Sequence, residues 1–302
     1  MSVMWYDGTL HDGDDIAVLP FTHALHYGSG VFEGIRAYET RHGTAIFRAQ
    51  DHLERFHRSA EAYGLKIAYS TQELEHAMFA TLEANAFTQG YIRPLAFFGE
   101  KGISLAPRYH CPTHVLVALK PLSGSLMGPS VRVCISPWQK TPSRSMPATV
   151  KASGHYMNSI LALHDAIERG FDEAILLNDR GEVAEGTGEN IFVVRNGRVR
   201  TNDASADVLD GITRATVIEL ARDRGIEVEV GPIAVRELLE ADEVFLTGTA
   251  AEVTAVSQID HRRLSDARPL TDELASAYAA AVRGEDPLHE QWLSLSGTLL
   301  ST

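Results

Sequence analysis

Apolar residues recur along this chain with two periods, near two and near 3.6, and the alternation between them predicts a mixed protein of strands and helices. Strands are expected over residues 31–38 and 44–48, on either side of the turn Thr40-Arg41-His42-Gly43. From about Asp51 the spacing becomes helical, with Leu53, Phe56 and Ala60 on one face and Gly64 as the stop. Ser70-Thr71-Gln72-Glu73 reads as a capping box opening a second helix, which carries Leu74, Met78 and Leu82 inward. Residues 90–98 and 114–119 complete the strands of this half. The run Leu122-Ser123-Gly124-Ser125-Leu126-Met127-Gly128-Pro129 is small and lacks alternation, so it reads as a linker. Beyond it, strands are expected at 131–135, 174–177, 190–194, 199–201, 226–230, 243–246 and 252–257, and helices at 156–169, 213–224 and 271–282. The expected fold class is therefore a two-domain α+β protein: a small N-terminal domain over 1–121, a linker at 122–130 and a larger domain over 131–302.

Bulk composition narrows the function classes. At 302 residues, 44% hydrophobic and 22% charged, the chain can bury two cores. A net charge of -13 argues against a nucleic-acid or anionic-membrane partner, because binding phosphate polymers needs a basic surface. Cys111 and Cys134 are too few and too far apart for a disulfide framework or cysteine metal site, which fits a cytoplasmic location. The start of the chain has neither a basic segment nor an apolar one of the signal-peptide kind, and no apolar run reaches the roughly 20 residues of a membrane span.

Lysine is scarce: Lys66, Lys101, Lys120, Lys140 and Lys151 are the only five, against 22 arginines. A lysine kept where arginine is the habit suggests a need to lose a proton and attack a carbonyl. Lys151 follows the β-branched pair Thr149-Val150 and is expected to end a strand with its amine facing a cleft; a solvated lysine is the plain alternative. Gly211-Ile212-Thr213-Arg214 precedes a helix whose bare N–H groups suit a phosphate, unless Asp210 or Thr213 simply caps it. Gly248-Thr249-Ala250-Ala251 reads as a second anion-binding turn, or as a tight connection between strands. Glu185 and Glu189 flank a glycine-rich stretch, where a carboxylate suits a heteroaromatic nitrogen that must stay protonated; two solvent-facing turn residues are the plain alternative. Tyr91 and Arg93 share one strand face and suit a carboxylate, or form a structural pair. Tyr27, Phe32 and Gly34 form either an apolar pocket wall or core. The thirteen histidines form no ligand set, despite the spacings of His52 with His57 and His110 with His114, so no metal site is expected.

These signals are individually moderate, but their order along the chain is specific. His23-Ala24-Leu25-His26-Tyr27-Gly28, Val31-Phe32-Glu33-Gly34-Ile35-Arg36, Tyr91-Ile92-Arg93-Pro94, Lys151, Glu185-Gly186-Thr187-Gly188-Glu189-Asn190, Gly211-Ile212-Thr213-Arg214 and Gly248-Thr249-Ala250-Ala251-Glu252 follow one another. From about Trp5 to Trp292 the chain resembles the branched-chain amino acid aminotransferases, members of the fold-type-IV pyridoxal-phosphate enzymes.

The resemblance implies a small α/β domain and a larger domain with a mixed, barrel-like sheet flanked by helices. It implies pyridoxal 5'-phosphate as cofactor, bonded to Lys151, with Glu185 on the pyridine nitrogen and Tyr156 on the phenolic oxygen. Arg55, Gly188, Ile212, Thr213 and Thr249 complete the implied cofactor set, the phosphate lying on Arg55, the 212–213 amides and Thr249. Tyr91 with the amides of Thr249 and Ala250 would hold the substrate α-carboxylate, Arg93 the side-chain carboxylate of glutamate, and Tyr27, Phe32 and Gly34 the branched chain. The implied partners are amino acid and 2-oxo acid substrates and further copies of the chain, in a homodimer or larger homo-oligomer. Two departures border the implied substrate pocket: Pro121-Leu122 where many relatives carry Pro-Trp, and the loop Gly102-Ile103-Ser104-Leu105-Ala106-Pro107 in place of a glycine-richer form. Alternatives are a D-amino acid or (R)-amine transaminase, an aminodeoxychorismate lyase, a non-catalytic binding protein of this fold, and, on Glu185 and Glu189 alone, a carbohydrate hydrolase.

Overall fold

The computed structural model describes residues 2–296, which fall into two units, each with its own sheet. The first unit holds the chain up to Ser123, the segment Val150–Gly154 and the chain from Ala281 on; the second holds Gly124–Thr149 and His155–Ala280. Periodicity suggested a single boundary at 122–130. It is blind to short segments that return, and two do so here: Ala152 bridges Val31, and the strand Leu293–Leu295 pairs along Gly43–Phe47.

In the first unit, β1 (Val3–Tyr6) and β2 (Thr9–Asp12) form a hairpin, and the short helix α1 (His23–Tyr27) follows. Next come β3 (Gly30–Phe32), β4 (Ile35–Thr40), β5 (Gly43–Phe47), β6 (Gly90–Phe98) and β7 (Thr113–Lys120). The expected continuous strand over 31–38 is broken at Glu33-Gly34. Both halves keep one register on β6, Phe32 opposite Leu95 and Ile35 opposite Ile92, so Pro94 stands opposite the gap. Proline has no N–H to give the ladder, and the bond left there is Glu33 N to the Pro94 carbonyl at 2.9 Å. Along β6 the even-numbered residues are buried, whereas Tyr91, Arg93 and Leu95 lie on the half-buried face.

Helices α2 (Ala49–Ala62) and α3 (Thr71–Ala84) cover this sheet and bury Leu53, Phe56, Leu74 and Met78 against Val31, Ile35, Ile92 and Val117. The capping box at α3 forms as its sequence predicts: Glu73 N donates to Ser70 Oγ at 3.2 Å, and Ser70 N to Glu73 Oε2 at 2.7 Å. Helix α2 starts earlier than Asp51 because Arg48 turns into the left-handed region (φ 52°) and its carbonyl accepts from His52 N.

The second unit is a ten-stranded mixed sheet. Its strands are β8 (Ser130–Gln139), β9 (Glu173–Leu177), β10 (Glu182–Val183), β11 (Asn190–Arg195), β12 (Arg198–Thr201), β13 (Val228–Val230), β14 (Ile233–Ala234), β15 (Glu243–Gly248), β16 (Glu252–Ile259) and β17 (Arg262–Arg263). The order is β13-β12-β11-β15-β16-β8-β9-β10-β14, with β17 on β16. The pairs β8–β9, β8–β16 and β12–β13 are parallel, as crossover connections require. Helices α4 (Tyr156–Glu168), α5 (Ile212–Asp223), α6 (Val235–Leu239) and α7 (Pro269–Val282) supply the remaining layers. One core gathers Val133, Ile175, Ile191 and Leu246; another stacks Phe192 on Phe245 at 4.8 Å beneath Val217 and Leu274. No helix among the described residues is long and apolar enough to cross a membrane.

Candidate active site

Lys151 does not end a strand. The residues before it form a turn, and the lysine is fixed by its own backbone: its carbonyl accepts from Phe32 N at 3.0 Å, and its N–H donates to Ser59 Oγ at 3.1 Å. Those two bonds place the half-buried side chain beside β3, with Nζ 5.1 Å from the centroid of the Phe32 ring. The Arg93 guanidinium lies over the same ring at 4.5 Å and donates from Nη2 to the Tyr91 hydroxyl at 2.8 Å. Register explains the grouping. Gly34 stands opposite Arg93, and a Cβ there would overlap the Tyr91 hydroxyl, so only glycine lets Tyr91 take its position. The first unit thus brings Lys151, Phe32, Gly34, Tyr91 and Arg93 onto one patch.

Tyr27 belongs to the same unit. Its ring packs on His23 at 4.5 Å, and its half-exposed hydroxyl donates to the Ile103 carbonyl at 3.2 Å. His23 Nε2 also reaches the Ser104 carbonyl at 3.0 Å, so α1 anchors the unusual loop over 102–107. The other departure, Leu122, gives its carbonyl to Nη2 of the buried Arg36 at 3.3 Å.

Arg55 is buried on the inner face of α2 and gripped by Glu33, which is itself fully buried. Nε donates to Glu33 Oε1 at 2.6 Å and Nη2 to Oε2 at 2.9 Å, while His52 Nδ1 lies 2.8 Å from Oε2. Burial by itself raises the Glu33 carboxyl; the Arg55 charge and the bonds from His52 and Arg55 outweigh it and hold the group well below the usual carboxylate range. Burial pushes His52 down against the pull of Glu33, with help from the charges of Arg55 and Lys151. His52 is therefore a neutral imidazole that donates from Nδ1. Glu33 takes two of the five guanidinium N–H groups.

The second unit carries the remaining candidates. The Glu185 side chain is 9% exposed and has three partners: Lys140 Nζ 2.6 Å from Oε1, Asn190 Nδ2 3.2 Å from Oε2, and Leu209 N 3.1 Å from Oε2. A carboxylate offers about four lone-pair sites. Three donors leave room for one more N–H, as a protonated ring nitrogen needs. Asn190 also donates to the Leu209 carbonyl at 2.9 Å, tying the glycine-rich turn to the segment before α5. Gly211 is the N-cap of α5 and supplies no side-chain cap. A Cβ at Gly211 would run into Asn190 Oδ1. Ile212 and Thr213, the first residues of α5, are both buried.

Thr249 and Ala250 form the turn between β15 and β16. Asn190 is paired with Thr247 in the ladder, which brings this turn to the glycine-rich one: a Cβ on Gly248 would lie 3.5 Å from the Gly188 carbonyl oxygen. Gly188 is exposed, and Tyr156 is the half-buried first residue of α4. Glu189 is not a free turn carboxylate: its Oε2 accepts from Gly188 N at 3.1 Å. The buried Glu173 shores up the same turn by accepting from Thr187 N at 3.1 Å and Thr187 Oγ1 at 3.0 Å, and burial raises its carboxyl. No cluster of three or more metal-ligating side chains occurs among the described residues.

Sequence reading passed over Lys140, Glu33, His52 and Ser59 as functional residues. The scarcity of lysine that singled out Lys151 applies equally to Lys140. A glutamate inside the apolar run Val31-Phe32-Glu33-Gly34-Ile35 had to be buried and therefore paired.

Comparison with known proteins agrees with this geometry. The amino-transferase class IV family model matches residues 30–259. The branched-chain-amino-acid aminotransferase of Pseudomonas aeruginosa is 40% identical over 300 residues, covering 97% of each chain. That of Escherichia coli is 35% identical over 296 residues, covering 96% of each. Among solved structures, a branched-chain amino acid aminotransferase complexed with N-(5'-phosphopyridoxyl)-L-glutamate superposes with a TM-score of 0.92 at 41% identity, over 97% of this chain and 98% of that one. The Thermoproteus uzoniensis branched-chain aminotransferase with norvaline gives 0.93 at 41% identity, with the same coverage. On the order of its motifs, its fold and these relatives, the chain belongs to the class IV aminotransferases.

Proposed function

We propose that this protein transfers the amino group between branched-chain L-amino acids (leucine, isoleucine, valine) and 2-oxoglutarate, giving branched-chain 2-oxo acids and L-glutamate, with pyridoxal 5'-phosphate as cofactor. The observation that carries the reading is the buried Glu185 carboxylate, held by three donors with capacity for one more. The naming of its relatives and the pyridoxyl-glutamate complex of a 41% identical neighbour support it.

When bound, the cofactor supplies an aldehyde carbon and an electron-accepting ring. Glu185 would meet the ring nitrogen and hold its proton in place, and Tyr156 would meet the phenolic oxygen. The start of α5 at Ile212 and Thr213, with Thr249 and Arg55, would take the phosphate, and Gly188 would lie against the cofactor. Lys151 Nζ would hold the cofactor and would move the proton that leaves the substrate α-carbon. The Tyr91 hydroxyl and the amides of Thr249 and Ala250 orient the α-carboxylate, so that the carbon–hydrogen bond to be broken is presented to that amine. Phe32, Gly34 and Tyr27 exclude water around a branched side chain, and Arg93 pairs with the second carboxylate when the substrate is glutamate. Because one pocket serves both substrates in turn, the kinetics are ping-pong.

The reading also takes the protein as a cytoplasmic homodimer or larger homo-oligomer. Val18, Leu19, Phe21 and Leu25 are all more than half exposed in the first unit, as apolar side chains awaiting a second copy are.

The test combines chemistry and substrate choice. Borohydride reduction followed by peptide mapping is expected to tag Lys151, and leucine is expected to turn over with 2-oxoglutarate. A tag on another residue, or turnover of D-alanine with none of leucine, overturns the reading.

A further inference from the structure

A second lysine shares the second unit with Glu185. Lys140 follows the last residue of β8, where its N–H donates to the Leu177 carbonyl at 2.8 Å, and its side chain is 15% exposed. Its ammonium lies 2.6 Å from Glu185 Oε1. Such a buried pair is a poor device for stability alone, since removing two charges from water costs about what their attraction returns. Its value lies in fixing the direction and charge of the carboxylate.

We propose that Lys140 is a positioning residue for Glu185: its ammonium fills one lone-pair site, Asn190 and Leu209 fill two more, and together they leave one directed site for the cofactor's ring N–H. This rests on the reading that Glu185 meets the ring nitrogen. The groups facing Lys140 fit the role. Burial works against its charge, but Glu185, Tyr156 and Asp207 outweigh burial and hold its ammonium above the ordinary lysine value. His155 is pushed down to about 4, by burial first and by the Lys140 charge second, so it stays neutral and does not compete as a cation. Asp207 is engaged by Ser143 N at 2.8 Å. Lys140 therefore remains charged across the working range beside the Glu185 carboxyl. Without the ammonium, the buried carboxylate relieves its isolation by taking up a proton, and a neutral carboxyl holds a protonated ring far less tightly.

The test uses full-length holoenzyme of wild type, K140M, K140Q, K140R and E185Q, each checked for folding by circular dichroism. Loss of the visible cofactor band after dilution is followed between about pH 6 and pH 8; a tenfold change corresponds to roughly one unit of proton affinity. K140M is expected to release cofactor about tenfold faster at the acid end than at the alkaline end, while wild type and K140R change by less than about threefold. K140Q, which keeps a donor without the charge, is expected to follow K140M and stands in for it if K140M does not fold. A purely structural lysine would shift the melting temperature and leave the pH profile unchanged. If both neutral variants release cofactor with the wild-type profile while E185Q releases it rapidly, Lys140 has no such role and the reading of Glu185 survives. If E185Q also behaves as wild type, that reading fails and takes the Lys140 proposal with it.

Discussion

Glu33 and Arg55 meet through two parallel hydrogen bonds, Nε to Oε1 at 2.6 Å and Nη2 to Oε2 at 2.9 Å, in a place where the carboxylate has no solvent exposure. Arg55 is thereby fixed before any ligand arrives, as the phosphate role proposed for it requires. Lysine in its place would be a point charge without the fork. Arg55→Ala leaves Glu33 buried beside a neutral imidazole, without its counter-charge, and is expected to cost about 3–5 kcal/mol. Urea unfolding would show this as a lowered midpoint, and adding Glu33→Gln should recover part of the loss. Recovery of nothing would mean that the pair is not the source of the effect.

Lys151→Ala is expected to keep its fold and lose at least three orders of magnitude, roughly, in turnover. Two bonds that fix this residue come from its backbone, to Phe32 N and Ser59 Oγ, and alanine preserves them. Circular dichroism with a transamination assay separates the two effects; a variant with full activity contradicts the assigned role.

Gly34→Ala puts a methyl group where the Tyr91 hydroxyl lies, forcing Tyr91 away and breaking its bond from Arg93. The expected outcome is a KM for the amino acid raised about tenfold or more, with a smaller effect on cofactor retention. Steady-state kinetics alongside the visible band would show it.

Arg93→Ala should harm glutamate more than leucine, because only glutamate brings a second carboxylate. A loss of about 2–3 kcal/mol of binding is expected for glutamate, as for a charge-assisted bond. Arg93 also stacks on Phe32 at 4.5 Å, so a smaller loss for leucine is expected as well. Equal losses in kcat/KM for the two substrates would count against the assignment.

His155 links stability to pH. Its folded value, about 4, lies below the ordinary histidine value, so between the two the unfolded chain binds a proton that the folded chain refuses. Its stabilising contribution is complete above about pH 6.5 and declines as pH falls toward 4. Because the residue is only half-buried, screening reduces the effect to about 1–2 kcal/mol. His155→Gln should flatten that part of the pH–stability curve in urea titrations, and an unchanged slope would assign it to other groups.

Much of the fold was legible because period and punctuation agree. The capping box at Ser70, the strand over 90–98 and the glycine stops at Gly64 and Gly225 are local events, settled within a few residues. The break at Glu33-Gly34 was not legible, because its cause is Pro94 on another strand. The place of Lys151 escaped for a similar reason: β-branched neighbours suggested a strand, whereas a long-range bridge at Ala152 and the Ser59 hydroxyl position it.

The sequence by itself determined the chemical inventory: one lysine, one carboxylate, two glycine turns and a Tyr/Arg pair, in an order that marks the class IV aminotransferases. Residue types and their linear spacing suffice for that, since each motif is contiguous. Only the tertiary structure decided which of these groups are spoken for. That Glu33 grips Arg55, that Lys140, Asn190 and Leu209 leave Glu185 one open site, and that Gly34 yields its space to Tyr91 are consequences of strand register and helix packing. Those contacts join residues far apart in the chain, where hydrogen-bond geometry and excluded volume, and not local propensity, select the partner.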